Sequence, residues 1–234
     1  MEETLSVSVI FPCYNEERNV EKAVSETLDT LGDLELEVIM EEDGSSDRTA
    51  EIARSLADGD PRVRALSFPG ARLGRGGGFL KGAEVASKDV IVLMDADLAI
   101  HPRHVRDALE RIAAGADLVI GSRNAHGGRR IVNQTWARVL TGVVYRTLVR
   151  LLFFLPHSDF QCGFKVMRRR ILDDIDLTHW DWEFDTELIW KVHRAGLVIE
   201  EMGIVWTERG DSRLHIFPDA LRMLRGLILL RLGR

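Results

Sequence analysis

Along the first half of the chain, short apolar runs alternate with longer stretches in which apolar residues recur every three or four positions. Ser6 to Phe11, carrying Val7, Val9 and Ile10, predicts a first strand, which Pro12-Cys13-Tyr14-Asn15-Glu16-Glu17 cuts off. Asn15 is expected to cap the helix that follows, where Val20, Ala23, Val24, Thr27, Leu28 and Leu31 keep helical spacing up to Gly32. Leu36 to Met40 predicts a second strand, broken by Glu41-Glu42-Asp43-Gly44-Ser45-Ser46-Asp47 ahead of a helix from Arg48 to Leu56. Val63 to Leu66 reads as a short third strand, and a helix from Phe79 to Ala86 precedes the apolar run Val90-Ile91-Val92-Leu93-Met94-Asp95-Ala96-Asp97. A helix from Val105 to Ala113 and a strand from Leu118 to Arg123 complete the alternation. Such alternation predicts an α/β fold with a mostly parallel sheet and helices on both faces, where ligands gather at the carboxyl ends of the strands.

The polar clusters sit at those ends. Asp95 and Asp97 close a buried strand one residue apart, so a period of two aims both carboxylates the same way. Hard oxygen ligands in that number suit Mg2+ or Mn2+, which keep their other positions for water and phosphate oxygens. The same pattern fits a solvated acidic turn. Gly70-Ala71-Arg72-Leu73-Gly74-Arg75-Gly76-Gly77-Gly78 reads as a glycine-rich loop before a helix, able to bring backbone N–H groups to phosphate or simply to form a surface loop. Tyr14 and Glu16, Glu42 and Asp43, Asp95 and Asp97, and Arg123 are expected to converge on one edge of the sheet.

The second half differs in character. From Trp136 to Leu155, Val139, Leu140, Val143, Val144, Thr147, Leu148, Leu151 and Leu152 form an apolar face apart from Arg138, Arg146 and Arg150. Periodicity favours core for such a stripe, while a basic amphipathic helix also suits a membrane surface. Pro218 to Arg234 repeats the composition. Between the two, carboxylates interleave with aromatics around Trp180, Trp182 and Trp206, which suits a carbohydrate site; Ile189 and Trp190 read as core and His193 as a surface residue.

With 234 residues and no Pro/Ser-rich or charged linker, a single domain over 1–234 is expected, with 1–123 as its nucleotide half and 124–234 as its acceptor half. A net charge of −6 argues against nucleic acid as the partner. Cys13 and Cys162 are the two cysteines and lack metal-type spacing, so reduced thiols in a cytoplasmic setting are expected. The sequence opens without a signal peptide, and its apolar runs fall short of a spanning helix, which predicts a protein that is soluble or lies on the cytoplasmic face of a membrane.

Taken in order, the motifs resemble family 2 glycosyltransferases of GT-A fold, and among them the synthases of dolichyl- or polyprenyl-phosphate glucose and mannose. Phe11 to Glu17 is similar to the family's "PxYNEE", Glu42 to Thr49 to its "DDGSxDxT", and Asp95-Ala96-Asp97 to its metal-binding "DxD". Gly121-Ser122-Arg123, Gln161 to Lys165 and Phe184 to Leu188 follow in family order, and the ending from Trp206 to Leu214 looks most like dolichyl-phosphate β-glucosyltransferases. Glu42 stands where an Asp is usual, Arg75 where a Lys is common, and Ala99 where mannosyl-phosphate synthases often carry Gln.

The resemblance implies inverting transfer of a hexose, glucose in preference, from a nucleotide diphosphate sugar, UDP in preference, to a polyprenyl phosphate. It assigns the metal to Asp95 and Asp97, and the nucleotide sugar to Pro12, Tyr14, Glu16, Glu42, Asp43, Arg75, Asp95, Ala96, Asp97 and Arg213. Arg123 and Gln161 fall to the acceptor, and Asp185 is the candidate base should the acceptor be a hydroxyl. A soluble transferase acting on a small hydroxyl compound and a non-catalytic nucleotide-sugar binder are the rival readings.

Overall fold

The seven residues of β1 (Val7–Cys13) are all buried except Pro12, which is half-buried, so this strand belongs inside a sheet covered on both sides. The computed structural model describes residues 5–70, 72–131, 136–181, 183–207 and 216–232. After β1 come α1 (Val20–Leu31), β2 (Leu36–Glu42), α2 (Thr49–Gly59), β3 (Val63–Ser67), α3 (Gly74–Val85), β4 (Val90–Leu93), α4 (His104–Ala113) and β5 (Leu118–Ser122). The second half adds β6 (Arg129–Ile131), α5 (Trp136–Phe153), β7 (Lys165–Arg168), α6 (Arg170–Asp174), α7 (Phe184–Arg194), β8 (Ile199–Gly203), β9 (Val205–Thr207) and α8 (Ile216–Arg231).

The main sheet runs β3-β2-β1-β4-β7-β5-β8, with β6 and β9 forming a separate ribbon. Its pairings are parallel except those of β7, which is antiparallel to β4 and to β5. The alternation in the sequence did not predict β7. Because β7 runs backwards, the residues just ahead of it, Gln161 to Phe164, lie at the edge where β1, β2 and β4 end. Two apolar layers flank the sheet. Val9, Val38 and Val92 face α1, α2 and α4, while Ile10, Ile39, Ile91 and Leu93 face α3, α5, α7 and α8. Cys13 and Cys162 are buried free thiols.

Three local expectations are corrected. Asn15 is not a cap: its φ is +54°, a left-handed conformation that Asn tolerates, and its Oδ1 accepts the Ser46 N–H at 2.8 Å, while α1 starts after Asn19. The glycine-rich stretch is not a loop throughout: from Gly74 onward it is the start of α3. Glycine is a poor helix former, so tertiary packing must dictate this helix. A Cβ on Gly76 would stand 2.5 Å from Phe184 Cγ, one on Gly78 2.1 Å from Glu41 Oε2, and one on Gly82 2.5 Å from Ile10 Cγ2. Close approach to the sheet and to α7 is what these glycines provide.

The third correction concerns α5. Its buried stripe is Tyr145, Val149 and Phe153, which lie against α7 and α8; the Tyr145 and Thr186 hydroxyls pair at 2.8 Å. Val139, Leu140, Val143, Val144 and Leu151, expected in the core, are exposed. Ile189 is buried, Trp190 packs edge-on against Phe153, and His193 is exposed.

Candidate active site

A cleft of about 990 Å³ opens at the carboxyl ends of β1, β2 and β4. Pro12, Tyr14 and Glu16 line it from the end of β1, Asp43 from the end of β2, and Asp95, Ala96 and Asp97 from beyond β4. Asp95 and Asp97 stand in a turn rather than in the strand itself. The Ala99 N–H donates to Asp97 Oδ1 at 2.8 Å, and Leu98 takes a φ of +52° to let the chain fold back. The turn delivers both carboxylates to one cavity, as a strand tip would have done. Arg72 stacks its guanidinium 4.3 Å above the Tyr14 ring at the rim.

Three consecutive acids end β2, and their tasks differ. Glu42 does not line the cleft, contrary to the expectation that it meets the nucleoside. Its carboxylate accepts the Ser67 hydroxyl at 2.7 Å and the Ser45 N–H, which fastens the β2–α2 turn to β3. Asp43 accepts the Leu73 N–H at 2.7 Å and the Gly74 N–H at 3.0 Å, and the Trp180 carbonyl accepts Gly76 N–H at 3.0 Å. These backbone donors at the start of α3, which the sequence offered to phosphate, are therefore already committed. Glu41, unremarked in the sequence, lines the cleft with a buried carboxyl that has no hydrogen-bond partner among the described residues. Burial, then Asp43 and Glu42, raise its pKa to about 8.

Arg75 is the hub of the cleft. Its Nε–H donates to Asp95 Oδ1 at 2.7 Å, and its Nη1 donates to the two oxygens of Asp185 at 3.0 and 2.8 Å. Lys165, whose side chain is 1% exposed, donates from Nζ to Asp185 Oδ1 at 2.6 Å and to the Cys162 carbonyl at 2.8 Å. Burial alone would raise the Asp185 pKa, but Arg75 and Lys165 outweigh it and bring it below the ordinary carboxylate value. An acid so held is a weak base. In the ligand-free protein Asp185 clamps two cations.

Arg123 stands two strands from the Asp95 turn. Its Nε and Nη2 donate to the two oxygens of Asp159 at 2.7 and 2.8 Å, and its guanidinium lies 5.7 Å from the Trp206 ring centre. Arg130, not noted in the sequence, and Arg146, from the basic side of α5, accompany it. Burial first, then the charge of Arg123, depress the Arg130 pKa, and Arg146 adds to the effect. Asp159, already paired with Arg123, offsets part of this positive charge, and an anion would offset more. Gln161, at the same edge, points its amide toward Met223 Sδ at 3.9 Å, on α8. Arg213 lies outside the described residues.

The cleft's charge bears on what it can hold. Glu16, Asp43, Asp95, Asp97, Asp181 and Glu183 line it against the guanidinium groups of Arg72 and Arg75. An anionic ligand would meet net repulsion there unless a cation came with it. Among the described residues no group of three or more His, Cys, Asp or Glu side chains is placed to hold a metal. Two carboxylates remain, at Asp95 and Asp97, and hard oxygens in that number fit Mg2+ or Mn2+ completed by water and phosphate. Gly163 supports the pair from β7's approach, because a Cβ there would stand 1.8 Å from Asp95 Oδ2. Gly163→Ala is accordingly expected to turn the Asp95 carboxylate away and weaken Mn2+ binding by roughly tenfold or more, as loss of outer-shell support does. A Mn2+ titration with UDP present measures this, and an unchanged affinity would remove Asp95 from the ligand set.

Comparison with known proteins gives a consistent picture. Residues 8–176 match the profile of "Glycosyl transferase family 2". Glycosyltransferase AglD of Haloferax volcanii is 37% identical over 228 residues, covering 94% of this chain but 36% of its own length. Polyprenol monophosphomannose synthase of Mycolicibacterium smegmatis is 32% identical over 207 residues, 86% of this chain and 77% of its own. Among solved structures, glucosyl-3-phosphoglycerate synthase of Mycobacterium tuberculosis, in complex with Mn2+, UDP and glucosyl-3-phosphoglycerate, superposes with a TM-score of 0.75. It covers 98% of this chain and 80% of its own at 23% identity, a likeness of fold.

Proposed function

The chain belongs to glycosyl transferase family 2, with the GT-A fold, and from that premise we propose that it transfers a hexose from a nucleotide diphosphate sugar to a polyprenyl phosphate, inverting the anomeric centre. Glucose and UDP are the sugar and nucleotide of this reading. The observation that carries it is the acid-lined cleft at the strand ends, with Asp95 and Asp97 side by side and Arg75 between two carboxylates.

Asp95 and Asp97 would hold the divalent cation, which neutralises the departing diphosphate when bound. Pro12, Tyr14, Glu16 and Asp43 lie where a nucleoside would enter, with Arg72 over the Tyr14 ring. Arg123, Arg130 and Arg146 form the basic corner suited to the acceptor's phosphate. A phosphate acceptor is already anionic near neutral pH and needs no strong base, which agrees with an Asp185 held in ion pairs.

The lipid half of the reading rests on α5 and α8. Val139, Leu140, Val143, Val144 and Leu151 on α5, Phe154 just after it, and Ile228 and Leu232 at the end of the chain expose apolar side chains beside Arg146 and Arg150. Exposed apolar area of this extent beside cations suits the surface of an anionic membrane. Among the described residues no helix is long and apolar enough to cross one.

Incubation with UDP-glucose, Mn2+ or Mg2+ and a polyprenyl phosphate is expected to give a glycolipid labile to mild acid. Absence of product with UDP-glucose and with other UDP- and GDP-hexoses would sink the lipid-acceptor reading.

A further inference from the structure

Arg75 already supplies positive charge to one of the two carboxylates that the proposed cation needs. Its Nε–H holds Asp95 Oδ1 at 2.7 Å, and Nη1 holds Asp185 at 2.8 Å, where Lys165 also donates at 2.6 Å. Two cations and two carboxylates leave this cluster without net charge, so Asp95 itself is already compensated even though the other acids of the cleft still favour a cation. The remaining corner of the guanidinium, Nη2, is buried and has no hydrogen-bond partner among the described residues, although Arg75 lines the cleft. A buried N–H group left unpaired is costly and is satisfied when an acceptor arrives. The guanidinium fork matches phosphate as well as it matches carboxylate.

We propose that Arg75 makes cation binding depend on the diphosphate: it occupies Asp95 in the ligand-free protein, and a nucleoside diphosphate entering the cleft takes the guanidinium and leaves Asp95 to the cation. The proposal rests on the reading of Asp95 and Asp97 as metal carboxylates. Lys165 keeps Asp185 compensated throughout, so Arg75 can leave its place without stranding a buried charge. Direct coordination of the cation by the diphosphate would couple the two ligands in any protein of this design. Arg75 adds a part of the coupling that belongs to one side chain and can be removed with it.

The test measures Mn2+ binding by the ligand-free protein and by the protein with UDP, from the spin-resonance signal of the free ion. In Arg75→Gln the ligand-free protein is expected to bind Mn2+ at least about fivefold more tightly than the parent, and the factor by which UDP tightens Mn2+ is expected to shrink, within the range usual for coupled sites. Linkage requires Mn2+ to tighten UDP by that same smaller factor. Arg75→Lys keeps a charge but cannot span both carboxylates; a smaller tightening in the same direction is expected, and it carries the test should the Gln variant fail to fold. Mn2+ affinity of the ligand-free variants equal to or weaker than the parent's would overturn the proposal. If the parent binds no Mn2+ even with UDP present, the metal reading itself falls.

Discussion

Asp97→Asn is expected to lower sugar transfer by about a thousandfold or more while leaving the thermal transition within a few degrees of the parent's. The replacement is nearly isosteric, and the amide oxygen can still accept the Ala99 N–H that Asp97 Oδ1 accepts at 2.8 Å, so the turn after β4 keeps its anchor. What disappears is a full negative charge at the one edge of the sheet where β1, β2 and β4 all end. A cation held there offsets charge that develops on the departing diphosphate, and removing a single preorganised hydrogen-bond donor from such a charge already costs about a hundred- to a thousandfold. A divalent ion stabilises the departing group more strongly than one donor does, and a thousandfold corresponds to about 4 kcal/mol of barrier. Steady-state transfer rates beside a melting curve decide the matter. Activity within about tenfold of the parent, in a folded variant, would take the metal away from Asp97.

The strand ends were legible because parallel strands buried on both faces write uninterrupted apolar runs, and whatever interrupts them is functional or a turn. β1, β2 and β4 are such runs, and they brought Tyr14, Asp43, Asp95 and Asp97 together without any coordinate. β7 was not legible: it has four residues and opens with Lys165, which is buried only because Asp185, twenty residues on, takes its charge. No local pattern announces that. The glycines of α3 were misread because propensity speaks for a loop, whereas the packing of Phe184, Ile10 and Glu41 against bare Cα atoms speaks for a helix. Along α5 the period gave the helix but pointed to the wrong face, since apolar residues occupy two stripes and the one packed with α7 and α8 is Tyr145, Val149 and Phe153. At the end of β2 the alternation gave no phase to three acids in a row. The strand continues two residues past its apolar part, which puts Glu41 and Asp43 on the cleft and turns Glu42 to the other side.

Glu41 yields the second large effect, on stability rather than on turnover. Its carboxyl is wholly buried and without a hydrogen-bond partner among the described residues, and Gly78 presses so close that a Cβ there would come within 2.1 Å of Oε2. Burial, then the neighbouring charges of Asp43 and Glu42, lift its pKa from an ordinary 4.5 to about 8. The unfolded chain therefore ionises first. Stability is full below about pH 4.5, falls as pH rises toward 8, and is constant beyond, where the native state must carry a buried charge. A shift of that size corresponds to a cost on the order of 3–5 kcal/mol at the alkaline end. Glu41→Gln keeps the shape and removes the charge, so at pH 8.5 it is expected to melt at least about 6 °C above the parent, given roughly 2–4 °C per kcal/mol for a domain of this size. At pH 4.5, where the parent's Glu41 holds its proton in the native state, the two melting curves should nearly coincide. Melting curves that stay parallel from pH 4.5 to 8.5 would mean that Glu41 is ionised in the native state throughout. The floor of the cleft would then carry one more negative charge for the diphosphate to overcome, and the cation at Asp95 and Asp97 would have to offset that as well.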